Sequence, residues 1–337
     1  STLRQGHIMS LFSAVVDFLK PAPPPSPQVV KALERVAELV DPLLKSTSGF
    51  ERRLTMPLQH ALGYCEGLVA GLPGPIDIDR ESFSRDPLVH ALFATADDID
   101  QMLGRSQAVR DFVASAERLE SDTFHALFAA RRHVKKQLGM ARHGDVIHAD
   151  VPQEVVYFGD QLLLEPDCQL AMLKEKLRLR TLDSLLLTFR EHVDALRLER
   201  DGLRADASVE RAHLTVLRGQ MPGEEQALHT RHLTDLEAKL RTTAESLMPD
   251  QILEALATFL MHPEASLSTH ETCITIDRMG IVCDANPDDS NVSTLDFPEM
   301  RGRDKRIYMV VLARIRRTEA EAAVDLVRDQ QRRFMLI

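Results

Sequence analysis

Apolar residues recur in alternating steps of four and three positions along the middle of the chain, from Leu182 to Met221. A helix with this heptad period presents one apolar seam, which packs against a second helix in a coiled coil. The seam positions are Leu182, Leu186, Phe189, Val193, Leu196, Arg200, Leu203, Ala207, Glu210, Leu214, Leu217 and Met221. Pro222 and Gly223 follow directly, and this pair ends a helix. The sequence therefore predicts a long helix that stops at Pro222.

A shorter seam follows this break. Its positions are Leu233, Leu236, Leu240, Thr243 and Leu247. Two seams joined by a tight turn predict an antiparallel helical hairpin, because the second helix covers the apolar stripe of the first. A long hairpin is suited to reaching, spacing and docking, and it encloses no pocket for catalysis.

The two seams differ in length, and this difference leaves part of the first seam without a partner. Only residues from about 198 to 247 can pair with each other across the turn. The stretch from Leu182 to Leu196 must therefore pack either against the protein's own helices or against a second molecule. The predicted interaction residues are Leu182, Leu186, Phe189, Val193, Leu196, Leu203, Leu214 and Leu217.

The composition favours helices. The chain has 337 residues, more than a usual single domain, and 44% of them are hydrophobic. Only 5% are aromatic and none is Trp, a composition more typical of helix packing than of a β-sandwich. The net charge of −10 argues against nucleic acid as a partner, because proteins that neutralise many phosphates carry a basic excess.

The first half of the chain is predicted to be helical. Residues 1–8 are interpreted as a possible tag remnant, because they precede Met9, and residues 9–27 as an amphipathic helix followed by a Pro-rich linker. This helix has two interpretations. It anchors the chain to a partner or to an anionic membrane surface, or it packs on its own domain. Residues 28–143 predict a helical bundle, with helices over 28–47, 51–71, 85–103, 105–117 and 119–142.

Two segments rich in β-branched residues flank the coiled coil. The first spans 144–166, with a hairpin turn at Gly159-Asp160, and the second spans 264–337, including a C-terminal helix. The coiled-coil hairpin occupies 167–263, and its two ends return to the same place, so both segments can join one small antiparallel sheet. The predicted fold is α+β and predominantly helical: an N-terminal helical bundle, a small antiparallel sheet, and a long antiparallel coiled-coil hairpin inserted between strands.

Three histidines are brought together by the predicted hairpin. If the chain turns at Met221–Gly223, His213 lies opposite His229 and His232, which are one helical turn apart. Neutral imidazoles are good ligands for zinc or nickel, and residues three apart on a helix can bind one ion together. The alternative is three exposed histidines on a solvated helix, because no Cys or carboxylate is clearly placed to complete a tetrahedron.

A basic patch interrupts the acidic chain at Arg131, Arg132, Lys135 and Lys136. Two interpretations fit these residues on the predicted helix 119–142. They form a surface that binds phosphate groups or an acidic partner, or they lie at a solvated helix end, where their charges complement the helix dipole.

No motif in the sequence indicates catalysis. A nucleophile elbow, a P-loop, a dinucleotide-binding glycine motif and a zinc-protease motif are all missing from the sequence, so we assign no catalytic residue and expect no cofactor. An enzyme of an unfamiliar type stays open. The four scattered cysteines and the lack of a secretory signal favour a cytoplasmic location, with possible peripheral membrane contact.

The functional prediction is a non-enzymatic scaffold or adaptor. The hairpin would serve for docking a protein partner or for self-association, and a homo-oligomer is expected. Two alternatives are a regulatory or sensory module whose sheet binds a ligand, and a peripheral membrane protein anchored by residues 9–20.

Overall fold

The computed structural model of the chain describes residues 25–115, 121–143, 146–216, 223–283 and 292–335. The predictions for residues 1–8 and for the helix at 9–20 lie outside these residues. The predicted turn at Met221-Pro222 also lies outside them.

Helices and strands alternate in blocks along the chain. The helices are α1 (Pro27–Leu39), α2 (Phe50–Ala70), α3 (Arg80–Arg85), α4 (Pro87–Leu92), α5 (Ala96–Arg105), α6 (Gln107–Ala114), α7 (Leu170–Val216), α8 (Gly223–Ser246), α9 (Pro249–Leu260) and α10 (Arg317–Met335). The strands are β1 (Ile76–Asp77), β2 (Thr123–His143), β3 (Val146–Asp167), β4 (Thr269–Asp277), β5 (Val292–Arg301) and β6 (Ile307–Arg316).

Acidic and hydroxyl side chains begin the short helices between residues 80 and 105. Asp79 and Asp86 accept hydrogen bonds of 2.7 and 2.8 Å from backbone N–H groups in the first turns of α3 and α4. Thr95 and Asp98 form a capping box at the start of α5. These bonds satisfy N–H groups that the first turn of a helix leaves unpaired. The capping residues therefore account for where each short helix begins.

The strands form one six-stranded sheet in the order β3-β2-β6-β5-β4, with β1 parallel to β6 beyond the end of β5. All other neighbours are antiparallel. The pairing of β2 with β6 covers only Thr123 to Arg131. The rest of β2 continues with β3 as a two-stranded ribbon beyond the sheet.

Two hydrogen bonds join the opposite edges of this sheet. After β4 the chain turns at Asp277, whose carboxylate accepts two backbone hydrogen bonds of 2.8 Å. The N–H of Val156 in β3 donates to the carbonyl of Gly280, and the N–H of Val282 donates to the carbonyl of Glu154, each at 2.8 Å. Gly280 has a φ of 79°, and a Cβ there would lie 2.4 Å from the carbonyl oxygen of Val156. Only glycine fits this closing contact without strain.

Three β-bulges bend β3 along its length. At each register shift between β2 and β3, β3 carries one extra residue. Asp150, Asp160 and Glu165 lie at these shifts, with φ values of 61°, 52° and 53°. A bulge holds its extra residue outside the ladder and increases the local twist. The predicted hairpin turn at Gly159-Asp160 is therefore wrong, because the chain passes through a bulge and continues as the same strand.

The predicted helix at 119–142 is also wrong, since residues 123–143 form β2. Ala, Leu, Arg, Lys and Gln dominate this segment, and these residues favour helices in isolation. Phe124 and Phe128 face one side of the sheet and Leu127 faces the other, and all three are buried. A strand covered on both faces shows no alternation of apolar and polar residues, so its period is hidden in the sequence.

Helices cover both faces of the sheet. One face carries Phe128 and Phe297 and packs against α4, α5, α6 and α10. The opposite face carries Leu127 and Leu312 and packs against α2 and Leu173 at the start of α7. Burial on both faces makes the sheet the centre of the molecule.

A third apolar cluster lies mainly between helices. It joins α1, α2, α9 and residues 182–193 of α7, a group that we call the helical layer. The predicted N-terminal bundle is thus present, but its predicted extent over 28–143 is wrong. Helices α4–α6 cover the sheet instead, and α7 and α9 complete the bundle.

The predicted fold class is confirmed. The chain is α+β and predominantly helical, and the antiparallel pair α7 and α8 is inserted between strands β3 and β4. The inserted hairpin leaves the sheet continuous because β4 rejoins it through β5.

A buried ion pair ties β2 to β5. The Arg132 guanidinium donates to both carboxylate oxygens of Glu299, at 2.8 and 3.1 Å, and the Thr272 hydroxyl donates to the same carboxylate at 2.9 Å. Burial alone would raise the pKa of Glu299, but the bonds from Arg132 and Thr272 outweigh burial and lower the pKa below 4.5. The pair therefore stabilises the folded state while Glu299 is ionised.

We expect Glu299→Gln to lower the free energy of unfolding at pH 7 by about 1–3 kcal/mol, because charge-assisted hydrogen bonds become neutral ones. The stabilisation by Glu299 is present above its unfolded pKa near 4.5 and is lost as the pH falls through the lower folded pKa. The difference between wild type and variant should therefore shrink on acidification. Urea unfolding at several pH values measures it, with exposed Glu271→Gln as control; a pH-independent difference contradicts the prediction.

Candidate functional site

The first part of the long seam is buried inside the chain. Leu182, Leu186, Phe189 and Val193 are between 0% and 3% exposed, and they pack in the helical layer. Of the two partners that the sequence left open for this stretch, the structure therefore shows the protein's own helices. These four predicted interaction residues do not offer a surface to a second molecule.

Ion pairs fix this part of α7 to its neighbours. Arg35 of α1 donates two hydrogen bonds to the carboxylate of Asp183, at 2.9 and 2.6 Å. Further along α7, Arg197 pairs with Asp41, which lies in the connection between α1 and α2. A third pair joins the loop between β5 and β6 to Glu191 at 2.6 Å. Two of these pairs join α7 to α1 and the segment after it, and the third joins α7 to the sheet, so ion pairs hold the base of the hairpin to both neighbours.

Beyond Val193 the hairpin leaves the helical layer. We call residues 194–216 of α7 and 223–246 of α8 the rod; with α8 at 24 residues it is about 35 Å long. Within the rod, Ala207, Leu236 and Thr243 are the buried residues among those described. Leu196, Leu203 and Leu214 are only partly buried. Leu217, the last predicted interaction residue, lies outside the described residues.

A second apolar stripe runs along the rod on the side of α7 that faces away from α8. Its members follow steps of four and three and are each displaced by two positions from a seam residue, so they lie on the opposite face of the helix. This outer stripe comprises Leu198, Gly202, Ala205, Val209, Ala212 and Val216. Leu198, Val209 and Val216 are 76%, 69% and 73% exposed. In the rod, α7 is therefore apolar on two faces and covered on one.

The partner helix α8 has no equivalent stripe among its described residues. Its outward positions, two places from the seam, are Arg231, Asp235, Ala238, Thr242 and Glu245. Most of them are charged or polar and all are exposed or partly exposed. Leu228, 66% exposed, is the one large apolar residue at an outward position of α8 among the described residues, so the apolar stripe of the rod belongs to α7.

The three predicted histidines lie together near the end of the rod. The rings of His213 and His229 are 4.8 Å apart between centroids, as expected from the predicted hairpin. Nδ1 of His229 lies 2.6 Å from Oε1 of Glu210, and Nδ1 of His232 lies 3.8 Å from the same oxygen. Sequence reasoning did not assign Glu210 to this group. Its signal was a charged residue at a seam position, where an apolar one is expected.

The basic patch does not form one surface. Arg131, Arg132, Lys135 and Lys136 lie on strand β2, so alternate side chains point to opposite faces of the ribbon. Arg132 is paired with buried Glu299, Arg131 with Asp160 at 2.8 Å, and Lys136 with Glu154 at 3.4 Å. These partners neutralise most of the predicted charge, and the helix end proposed as an alternative is a strand.

An open groove of about 740 Å³ lies beside the turn that closes the sheet. Residues from α3, α4, β3 and the turn after β4 line it, among them Phe83, His90, Tyr157, Arg278 and Met279. The groove brings aromatic, imidazole and guanidinium groups to one edge of the sheet.

No protein family matches this sequence, and no curated protein or solved structure is significantly similar to it. Among the described helices, none combines the length and apolar character needed to cross a membrane. Without a similar protein for comparison, function is inferred from the geometry of the rod.

We expect the rod to be dispensable for folding of the rest of the chain. None of the three apolar clusters contains a residue from 198–246. The two helices at the base lie about 8–10 Å apart, so a short Gly/Ser linker can replace 198–246. The shortened chain should unfold cooperatively near the melting temperature of the full chain, as followed by circular dichroism. Loss of the cooperative transition would contradict this prediction.

Proposed function

We propose that this protein is a non-enzymatic scaffold that self-associates through the outer stripe of its rod. The observation that carries the proposal is the exposure of Leu198, Val209 and Val216 along one face of α7. Contiguous exposed apolar residues on a soluble surface are typical of protein interfaces. A helix that is apolar on two opposite faces needs two partners, and α8 supplies one.

The partner that fits this surface is another helix. The large side chains of the outer stripe alternate with Gly202, Ala205 and Ala212, which leave room for a second helix to approach closely. The distance between packed helices depends on the size of the contact residues, and small residues shorten it. The heptad period keeps the stripe straight enough to meet a partner helix along the rod.

A second copy of the chain supplies such a helix with matching side-chain sizes. The outer stripe is nearly symmetric about residue 207, with Leu198 and Val216 at its ends and Gly202 and Ala212 inside them. In an antiparallel pair related by a two-fold axis, large residues meet at both ends, small residues meet next to them, and Ala205 meets Val209 near the axis. Closed two-fold symmetry is also the commonest arrangement of homo-oligomers.

The test is the oligomeric state of full-length variants. Leu198→Glu combined with Val209→Glu places charges in the outer stripe, so we expect a dimeric wild type and a monomeric variant by light scattering after size-exclusion chromatography. Leu228→Glu is the matched control, because Leu228 is 66% exposed on the same rod but belongs to α8. That control should stay dimeric. A monomeric wild type at tens of micromolar, or a dimeric double variant, would refute self-association through this stripe.

A second candidate is a regulatory module whose sheet binds a small ligand, and the groove beside Arg278 favours it. A ligand that binds the native state raises the melting temperature by mass action. A thermal-shift screen of nucleotides and metabolites should then find a compound that stabilises the wild type but not Arg278→Ala. The control is Arg52→Ala, because Arg52 is exposed on α2 and does not line the groove; this variant should be stabilised like the wild type. A screen without any stabilising compound counts against this candidate.

The cytoplasmic location and the membrane alternative stay predictions. The proposed membrane contact depends on residues 9–20, which lie outside the described residues. Liposome flotation with and without these residues would decide it.

A further inference from the structure

Two pairs of potential metal ligands face each other across the rod. Glu210 and His213 are three residues apart on α7, and His229 and His232 are three residues apart on α8. Residues with this spacing lie on the same side of a helix, one turn apart. Helical bundles bind metal ions with ligands of this kind, including Glu-x-x-His pairs, that project from facing helices.

The ligand atoms already converge. One oxygen of Glu210 and one ring nitrogen each of His213 and His229 lie within 4.8 Å of one another. The two imidazole planes are nearly perpendicular, at 84°. His232 contributes a nitrogen 3.8 Å from the Glu210 carboxylate. Three groups from two helices therefore surround one small volume, and a fourth borders it.

The position of Glu210 needs an explanation that helix packing does not give. It occupies a seam position, its side chain is only 13% exposed, and its described partners are imidazoles. A charged group in a seam destabilises a coiled coil unless a specific interaction offsets its desolvation. The reference pKa of a glutamate carboxyl is about 4.3, so this group is an anion at neutral pH. An anion among three imidazoles is a ligand set for a cation.

We propose that Glu210, His213, His229 and His232 bind one divalent transition-metal ion, with Zn²⁺ as the best fit, and clamp α7 to α8 near the end of the rod. Zinc accepts tetrahedral sets of imidazole and carboxylate ligands with bonds of about 2.0–2.2 Å. Ligand atoms in such a tetrahedron are separated by about 3.4 Å. The observed separations run from 2.6 Å to at most 4.8 Å and bracket this value, so small side-chain rotations bring the ligand atoms to it.

The chemistry of the ligands also selects the metal. Three nitrogens and one carboxylate suit zinc, copper or nickel, whereas Mg²⁺ and Ca²⁺ take oxygen ligands. The site therefore takes its metal from the first-row transition series. A metal-free hydrogen bond between Glu210 and His229 is the competing explanation, and it predicts no metal binding at all.

The experiment titrates the full-length protein, stripped with a chelator, with Zn²⁺ in competition with a chromophoric chelator. We expect one Zn²⁺ per chain in the wild type. Loss of a residue that only hydrogen-bonds to a metal ligand already weakens metal binding about 10–100-fold. Loss of the ligands His213 and His229 together should therefore weaken Zn²⁺ binding at least as much. Co²⁺ in place of Zn²⁺ should show the intense visible absorption of a tetrahedral site.

Glu210→Leu separates metal binding from folding. The substitution restores an apolar seam residue, so the metal-free rod should be as stable as wild type or more stable. The same substitution removes an anionic ligand, so Zn²⁺ affinity should fall roughly tenfold or more. The matched control is His262→Ala, because His262 lies outside the rod, where it forms an exposed pair with Glu264 at 3.5 Å. This control should bind Zn²⁺ like wild type.

The proposal is overturned by a wild type that binds no Zn²⁺ at micromolar concentrations, or by a Glu210→Leu variant that binds it as tightly as wild type. Loss of binding in His262→Ala would also overturn it. Zn²⁺ binding is measured independently of the oligomeric state. The clamp and the proposed self-association can therefore fail separately.

Discussion

One continuous helix holds the parts of this molecule together. The start of α7 packs on the sheet through Leu173, its middle fills the helical layer with Leu182 to Val193, and its second half forms the rod. Apolar packing in these two cores is dense, and close-packed interiors transmit displacement instead of absorbing it. The sheet, the helical layer and the rod are therefore coupled through a single rigid axis.

The same helix loses partners from its base to its end. In the helical layer α7 is surrounded by α1, α2 and α9, whereas beyond Arg197 its described contacts are with α8. Exposure along the seam rises accordingly, from buried Leu186 and Val193 to partly buried Leu196 and Leu203. The sequence does not become more polar to match this change, and Val209 and Val216 keep an apolar outer face. In the rod, α7 thus keeps apolar residues on a face that no described helix covers. This exposed apolar face is the physical basis for placing function in the rod.

The hairpin could be predicted from the sequence because a heptad seam is a local pattern. The same pattern placed His213 opposite His229. The partner of Leu182 to Val193 could not be chosen, because it depends on contacts with α1 and α2 that are distant in sequence. Strand β2 was missed because its residues favour helices and both faces of its first part, Phe124 to Ala130, are largely buried, and because the bulge at Asp160 resembles a turn. Glu210 could have been assigned to the histidines from its seam position alone.

Closure of the sheet by Gly280 has a consequence for folding. Its hydrogen bonds join β3 to the turn after β4, segments separated by the whole of α7, α8 and α9. The entropy lost on closing a loop grows with the logarithm of its length, and contacts between distant segments slow folding. Because α7 and α8 are antiparallel, their pairing brings the two ends of the insertion side by side. Pairing of α7 with α8 therefore shortens the effective loop between β3 and β4, and so lowers the entropy lost when the two edges of the sheet meet.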